Sequence, residues 1–248
     1  GAVVDALLTH PRLPDVPIIR FVDDRMTQCM TDFVVSQVTM HHRLFARYQA
    51  DQSARRWQQF YPPPASDIAV GIMGLGVLGS DAARKLSLLG YQVNGWSRGS
   101  KSLDGVRCFA GEASFDTFLA GTDILVCLLP LTDQTRGILN TRTFTTLRRN
   151  VLPGGPVIIN AARGGHQIES DIAAALGDGT LAAASLDVFE VEPLPAASPL
   201  WALPNCYITP HVAAVSSEDG GVVYFSEMLR DAAQGKPWRN VVDRRQGY

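Results

Sequence analysis

The chain has 248 residues, 46% hydrophobic and 19% charged, with a net charge of −2. That is ample apolar material for one core and little for two full domains, and the near-neutral balance gives no electrostatic case for nucleic acid or an anionic membrane surface. The longest apolar runs, such as 124–129, are far too short to span a bilayer, no signal peptide opens the chain, and Cys29, Cys108, Cys127 and Cys206 lack metal-ligand spacing, so the expectation is a cytoplasmic protein with reduced, mostly buried thiols and no metal.

In chain order, residues 31–48 repeat apolar side chains at helical spacing through Phe33, Val34, Val38, His41, Leu44, Phe45 and Tyr48. Arg55, Arg56 and Trp57 follow, and Tyr61-Pro62-Pro63-Pro64 makes a rigid connector. Residues 68–73 form a short apolar run with the length and β-branched content of a buried strand. Residues 77–89 return to helical spacing through Leu78, Ala82, Leu86 and Leu89, and Gly90 stops that helix. Between strand and helix lies Gly74-Leu75-Gly76-Val77-Leu78-Gly79. A strand, a G-x-G-x-x-G turn and a helix in direct succession form a dinucleotide fingerprint. Gly74 allows the tight turn, Gly76 lets the backbone approach a pyrophosphate, and Gly79 lets helix and strand pack closely, with phosphates on the N-terminal residues Val77, Leu78 and Gly79.

The next strand, 91–96, points towards the place of the adenosine ribose. NAD enzymes put a carboxylate there for the 2′-hydroxyl. This chain has Trp96, Ser97 and Arg98, with Lys101 close behind. A guanidinium grips a 2′-phosphate bidentately, so NADP(H) is the preferred cofactor and NAD(H) the alternative.

Further on, 106–109 and 123–129 read as strands, 141–149 as a short helix, 156–160 as a strand, 167–176 as a helix and 183–188 and 206–209 as strands. After His211, 222–233 reads as one more helix and 241–248 as a polar tail. Alternating strands and helices predict an α/β doubly wound parallel sheet, in which ligands sit at the carboxyl ends of the strands near the switch in strand order. Arg163, Asp187 and His211 each lie at or just beyond a predicted strand end, so residues distant in sequence converge on one rim.

The motifs Gly74-Leu-Gly-Val-Leu-Gly79, Trp96-Ser-Arg98, Leu128-Leu-Pro-Leu-Thr132, Asn160-Ala-Ala-Arg-Gly164, Leu186-Asp-Val-Phe-Glu-Val-Glu-Pro-Leu-Pro195 and Ile208-Thr-Pro-His-Val-Ala213 run in order through most of the chain. On them the chain resembles the D-isomer-specific 2-hydroxyacid dehydrogenase family, and within it the glyoxylate/hydroxypyruvate reductase A type. The resemblance implies a Rossmann dinucleotide-binding domain. Leu129, Pro130 and Ala161 would border the cofactor, and Asp187 would position its nicotinamide end. It also implies the catalytic residues Arg163, Glu192 and His211. Arg163 would bind the substrate carboxylate or carbonyl oxygen, His211 would give the proton, and Glu192 would fix the His211 tautomer and favour its charged form. Taken singly, a histidine after a strand, a Glu before Pro and an Arg in Ala-Arg-Gly all have structural explanations. Together, behind a dinucleotide fingerprint, they favour chemistry. His10, His41, His42 and His166 lack such company and are expected to be structural or surface residues.

The chain also departs from the family pattern. Family members open with a substrate-binding lobe, much of which is absent here. Gly1-Ala-Val-Val-Asp5 is similar to a family turn, usually Gly-Ala-Gly-Val-Asp, that holds the substrate carboxylate, so Val3 and Val4 would stand at the substrate. Val3 occupies a glycine position where a β-branched side chain crowds the ligand. The chain is thus either short of its leading part, which is the favoured explanation, or a reduced relative with an incomplete active site. The expected division is a substrate-lobe remnant at 1–24, a dinucleotide-binding domain at 25–215 with a dimerisation arm at about 40–64, and a return helix and tail to the substrate lobe at 216–248. By resemblance the partners are a small 2-oxo or 2-hydroxy acid and a second copy in a homodimer. Two other functions stay open: phosphoglycerate or D-lactate oxidation with NAD, and a non-catalytic nucleotide-binding interaction module.

Overall fold

The computed structural model describes residues 12–22, 24–215 and 218–244. Seven strands form one wholly parallel sheet: β1 (Ala69–Met73), β2 (Gln92–Ser97), β3 (Val106–Ala110), β4 (Ile124–Cys127), β5 (Val157–Asn160), β6 (Ala183–Leu186) and β7 (Cys206–Ile208), in spatial order β3-β2-β1-β4-β5-β6-β7. Strand order reverses between β1 and β4, which is where a doubly wound sheet opens a crevice at its carboxyl edge.

Both faces of the sheet are covered, as parallel strands require. The helices are α1 (Asp24–His42), α2 (Phe45–Ser53), α3 (Val77–Leu88), α4 (Phe115–Ala120), α5 (Thr141–Thr146), α6 (Glu169–Asp178) and α7 (Glu218–Ala233). Alternation along the strands sorts the core into two layers. Val70, Ile72, Ile124 and Val126 pack with Val34, Val38, Ala82 and Leu86 of α1 and α3. Met73, Leu125, Cys127 and Ile158 face the other way onto Phe118, Phe144, Ile172 and Leu176 of α4, α5 and α6.

The structure differs from the sequence expectations at several elements; α1 starts at Asp24 rather than at 31, and α7 at Glu218 rather than at 222. Residues 31–48 are two helices, because Leu44 takes a left-handed φ of 59° and turns the chain. No Pro or Gly marks that break; the buried rings of His41 and His42 hold it from a distance, on Ser185 Oγ (2.8 Å) and on Tyr91 OH and the Pro63 carbonyl (2.8 Å each). Helix α4 is absent from the sequence-based elements, since six residues give too little periodicity to read. Helix α5 ends at Thr146, three residues short of its expected end, because Leu147 turns extended and Arg148 leaves to pair with Asp123. That carboxylate is fully buried and also accepts the Ala69 N–H at 2.8 Å, tying β1 to β4 from below the sheet.

The cysteines depart from the expectation as well. All four are free thiols, but only Cys127 is buried; Cys29 is exposed and Cys108 and Cys206 lie half-buried. Burial pushes the Cys127 and Cys206 thiols up to about 12, which removes both as nucleophiles near neutrality.

Outside the sheet, Arg20 N–H donates to Asn240 O at 2.9 Å and Val242 N–H to Ile18 O at 2.8 Å. The segment before α1 therefore lies against the chain after α7, with Phe21 edge-on to Tyr224. Among the described residues no helix is long and apolar enough to cross a membrane.

Candidate active site

The glycine-rich turn connects β1 to α3 with the geometry that its residues predict. Gly74 has φ 102°, and its N–H donates to Trp96 O at 2.9 Å. A Cβ on Gly79 would stand 1.9 Å from Gly74 O, so only glycine lets the first turn of α3 rest on this loop. A Cβ on Gly76 would meet nothing within 4 Å. The backbone there faces open space, and α3 starts with no side-chain cap, leaving its first N–H groups to an anion.

That space belongs to a crevice of about 1480 Å³ along the carboxyl edge of β1, β2, β4 and β5. It exceeds the span usual for a drug-sized ligand and suits an extended dinucleotide. Gly74, Gly76, Val77, Leu78, Gly79, Trp96, Ser97, Arg98, Lys101, Leu129, Pro130, Ala161, Arg163, Asp187 and His211 all line it, so the crevice brings together the residues singled out in sequence apart from three. Val3 and Val4 lie outside the described residues. Glu192 stands behind His211.

At the β2 end, Trp96 is fixed by its indole N–H on Gly111 O (2.9 Å) and by the Phe115 ring, 4.8 Å away between centroids. Ser97 is buried and donates to Gly99 O at 2.8 Å, shaping the turn that presents Arg98 and Lys101 on the surface. Gly111 N–H on Ser97 O (3.0 Å) brings Glu112 to the same end, an acid that the sequence pattern did not single out.

At the other end, Arg163 follows β5. It is extended, with φ −145°, and its guanidinium bonds the Ala162 carbonyl. A buried polar network supports the loop from below: Asn160 Nδ2 donates to Arg163 O (3.0 Å) and to Gln167 Oε1 (2.8 Å), and Gln167 Nε2 donates to Val188 O (3.0 Å).

His211 follows β7, and its Nδ1 lies 2.8 Å from Glu192 Oε2. An ionised carboxylate only accepts, so Nδ1 carries the hydrogen and Nε2 is left for the crevice. Partial burial pushes the Glu192 carboxyl up. The His211 hydrogen bond outweighs it, together with the Phe189 N–H (3.0 Å) and the charges of His211 and Arg163, and the carboxyl is held below its usual range. Glu192 therefore stays ionised near neutrality.

The sequence placed Asp187 at the cofactor. It lines the crevice, and both of its oxygens turn to the His211 loop. Asp187 Oδ1 accepts from Thr209 Oγ1 (2.6 Å) and Val212 N–H (2.9 Å), Oδ2 from Ala213 N–H (2.9 Å), and its carbonyl from His211 N–H (2.8 Å). These bonds grip the chain on both sides of His211, whose φ is 56°. Such a backbone costs about 1–3 kcal/mol for a non-glycine residue and persists where surrounding contacts over-determine it.

A parallel doubly wound sheet, an uncapped glycine turn and an imidazole–carboxylate pair on one crevice define a dinucleotide-binding oxidoreductase fold with an acid–base site. A profile described as the D-isomer specific 2-hydroxyacid dehydrogenase NAD binding domain matches residues 35–213. The chain is 41% identical to glyoxylate/hydroxypyruvate reductase A of Escherichia fergusonii and 42% identical to that of Klebsiella pneumoniae strain 342, over all of its own length and 80% of theirs. Among solved structures it resembles a probable 2-hydroxyacid dehydrogenase from Rhizobium etli in complex with NADP, HEPES and L(+)-tartaric acid, with 47% identity, TM-score 0.95, and 99% of this chain and 77% of that one covered. It also resembles the NADPH-dependent glyoxylate/hydroxypyruvate reductase of Sinorhizobium meliloti in complex with NADP and sulfate, with 47% identity, TM-score 0.93 and the same coverage. A D-isomer specific enzyme from Xanthobacter autotrophicus, in complex with NADPH and MES, matches at 44% identity and TM-score 0.93 over 99% of both chains. The chain belongs to the D-isomer specific 2-hydroxyacid dehydrogenase family.

Proposed function

We propose that the chain catalyses NADPH-dependent reduction of a small 2-oxo acid, of the glyoxylate or hydroxypyruvate type, to the 2-hydroxy acid. The observation that carries this reading is the His211–Glu192 pair at 2.8 Å on the crevice that the glycine turn opens and Arg163 borders. When bound, a reduced nicotinamide supplies the hydride. Arg163 holds the carboxylate and polarises the carbonyl, and His211 Nε2 gives its proton to the carbonyl oxygen. Glu192 holds the ring by Nδ1 and so keeps Nε2 turned to the crevice. Asp187 keeps the His211 loop in register.

NADPH oxidation with glyoxylate or hydroxypyruvate tests the reading, and binding of NADPH without turnover of any 2-oxo acid would leave only a nucleotide-binding module. Arg98 and Lys101 favour the 2′-phosphate, so kcat/KM is expected to be higher with NADPH than with NADH. Arg98→Ala should shrink that ratio by about tenfold, the worth of one charge-assisted hydrogen-bonding group. An unchanged ratio would mean that Arg98 does not read the phosphate.

The proton step also gives Glu192 a test. Glu192→Gln keeps an acceptor for Nδ1 but removes the negative charge, and should lower kcat/KM by about tenfold, the worth of one charge-assisted hydrogen bond. An unchanged kcat/KM would show that Glu192 does not serve His211 in this way.

The same reading assigns 1–24 and 216–248 to the substrate lobe and places the protein in the cytoplasm, where free thiols stay reduced. It makes the protein a homodimer joined by the arm at about 40–64. Phe45 is 61%, Trp57 96% and Tyr61 87% exposed, which is apolar area that a second copy would cover. Sedimentation at the mass of two chains is expected; a monomer at micromolar concentration would contradict it.

A further inference from the structure

His166 is fully buried and has no task in the chemistry above. It closes the short turn Gly164–His166, directly after Arg163. Its Nδ1 lies 3.1 Å from the Arg163 carbonyl oxygen and its Nε2 3.2 Å from the Pro130 carbonyl oxygen. Carbonyls only accept and a neutral imidazole carries one N–H, so the tautomer with hydrogen on Nε2 donates to Pro130 O across the two loops, and the other donates to Arg163 O within its own loop. The two carbonyls belong to different loops on the crevice rim. Pro130 follows β4 beside the glycine turn, and Arg163 follows β5.

The backbone continues the same seam. Gly137 N–H donates to Gly165 O at 3.0 Å, Leu139 N–H to His166 O at 2.8 Å and Ile168 N–H to Leu139 O at 3.0 Å. Thr135 Oγ1 adds a 2.7 Å bond to Pro130 O. A leucine would fill a dry site with no polar atoms to satisfy; an imidazole there must earn its burial through the bonds it makes.

We propose that His166 is a positioning residue, whose ring fastens the loop after β4 to the loop after β5 and thereby sets Arg163 against the cofactor wall of the crevice. The inference rests on Arg163 as the anchor of the oxo acid. Arg163 can hold a carboxylate in line with a hydride donor only if its backbone is fixed relative to that wall, and displacement by about an ångström is enough to cost rate or affinity.

The test measures binding of oxalate, a planar mimic of the oxo acid, to the NADP⁺-saturated protein by calorimetry. Three variants interrupt the bridge: His166→Leu removes the ring donor, His166→Asn keeps an amide near the Nδ1 position, and His166→Gln keeps one near Nε2. Ile172→Val, a buried change on α6 that leaves every hydrogen bond of the seam in place, is the control. Oxalate should bind about tenfold more weakly to His166→Leu and about threefold more weakly to the Asn and Gln variants, with the control unchanged. The KM for glyoxylate should rise in parallel while kcat falls less, because the lost contact orients bound substrate and gives no proton.

Oxalate affinity within about twofold of the unaltered protein in all three variants, equal weakening in the Ile172→Val control, or no oxalate binding by the unaltered protein would overturn the inference. Failure of the unaltered protein to oxidise NADPH would count against the reductase reading alone, since oxalate binding needs no turnover.

Discussion

Replacing His211 by alanine is expected to lower kcat/KM for the oxo acid by about two to four orders of magnitude, the range for loss of a positioned general acid. The ring has one nitrogen on Glu192 and the other towards the crevice, so the substitution removes the proton donor and nothing that the glycine turn contributes. NADPH affinity, followed by fluorescence, should stay within about threefold of the unaltered protein, because uniform binding of the cofactor does not use this side chain. The loop should persist as well, since Asp187 grips the backbone N–H groups of residues 211–213 through atoms that alanine retains. A rate loss under about tenfold would mean that another group delivers the proton.

Arg163→Met should cost about two to three orders of magnitude in kcat/KM, most of it as raised KM for the oxo acid. Methionine keeps an apolar stem of similar length and removes only the charged fork. A bidentate guanidinium–carboxylate contact comprises two charge-assisted bonds of about 1.5–3 kcal/mol each, and part of that loss is recovered by water. Arg163→Lys should recover little, because an ammonium restores the charge but not the paired geometry. Full recovery by lysine would reduce the role of Arg163 to a point charge.

The parts of this site that were legible in sequence are those carried by side-chain identity and local spacing. The glycine turn is written in three residues whose steric need is local, and the structure realises it at Gly74 and Gly79. The parallel sheet follows from short apolar runs alternating with amphipathic ones. Arg163, Asp187 and His211 could be placed on one rim because strand ends in such a sheet share an edge.

Features that depend on backbone groups or on distant partners were not legible. Asp187 reads as a cofactor residue by position, yet its oxygens serve N–H groups of residues 212 and 213, and every residue but proline has an N–H. His166 reads as an unaccompanied histidine because its partners are two carbonyls, one of them 36 positions away in the chain. The break at Leu44 has no local breaker, and its cause lies in the anchoring of His41 and His42 by other elements. Helix α4 is too short for periodicity to speak. In each case tertiary contacts decide what local propensity leaves open.

The account turns on an imidazole, its carboxylate and a guanidinium acting together at the nicotinamide end of the crevice. The most direct test is NADPH oxidation on addition of glyoxylate, measured side by side for the unaltered protein and His211→Ala, with NADPH binding confirmed for both. The account predicts glyoxylate-dependent oxidation by the first and its near-complete loss in the second, at undiminished cofactor affinity. No oxidation by the unaltered protein, or equal rates for the two, would contradict it.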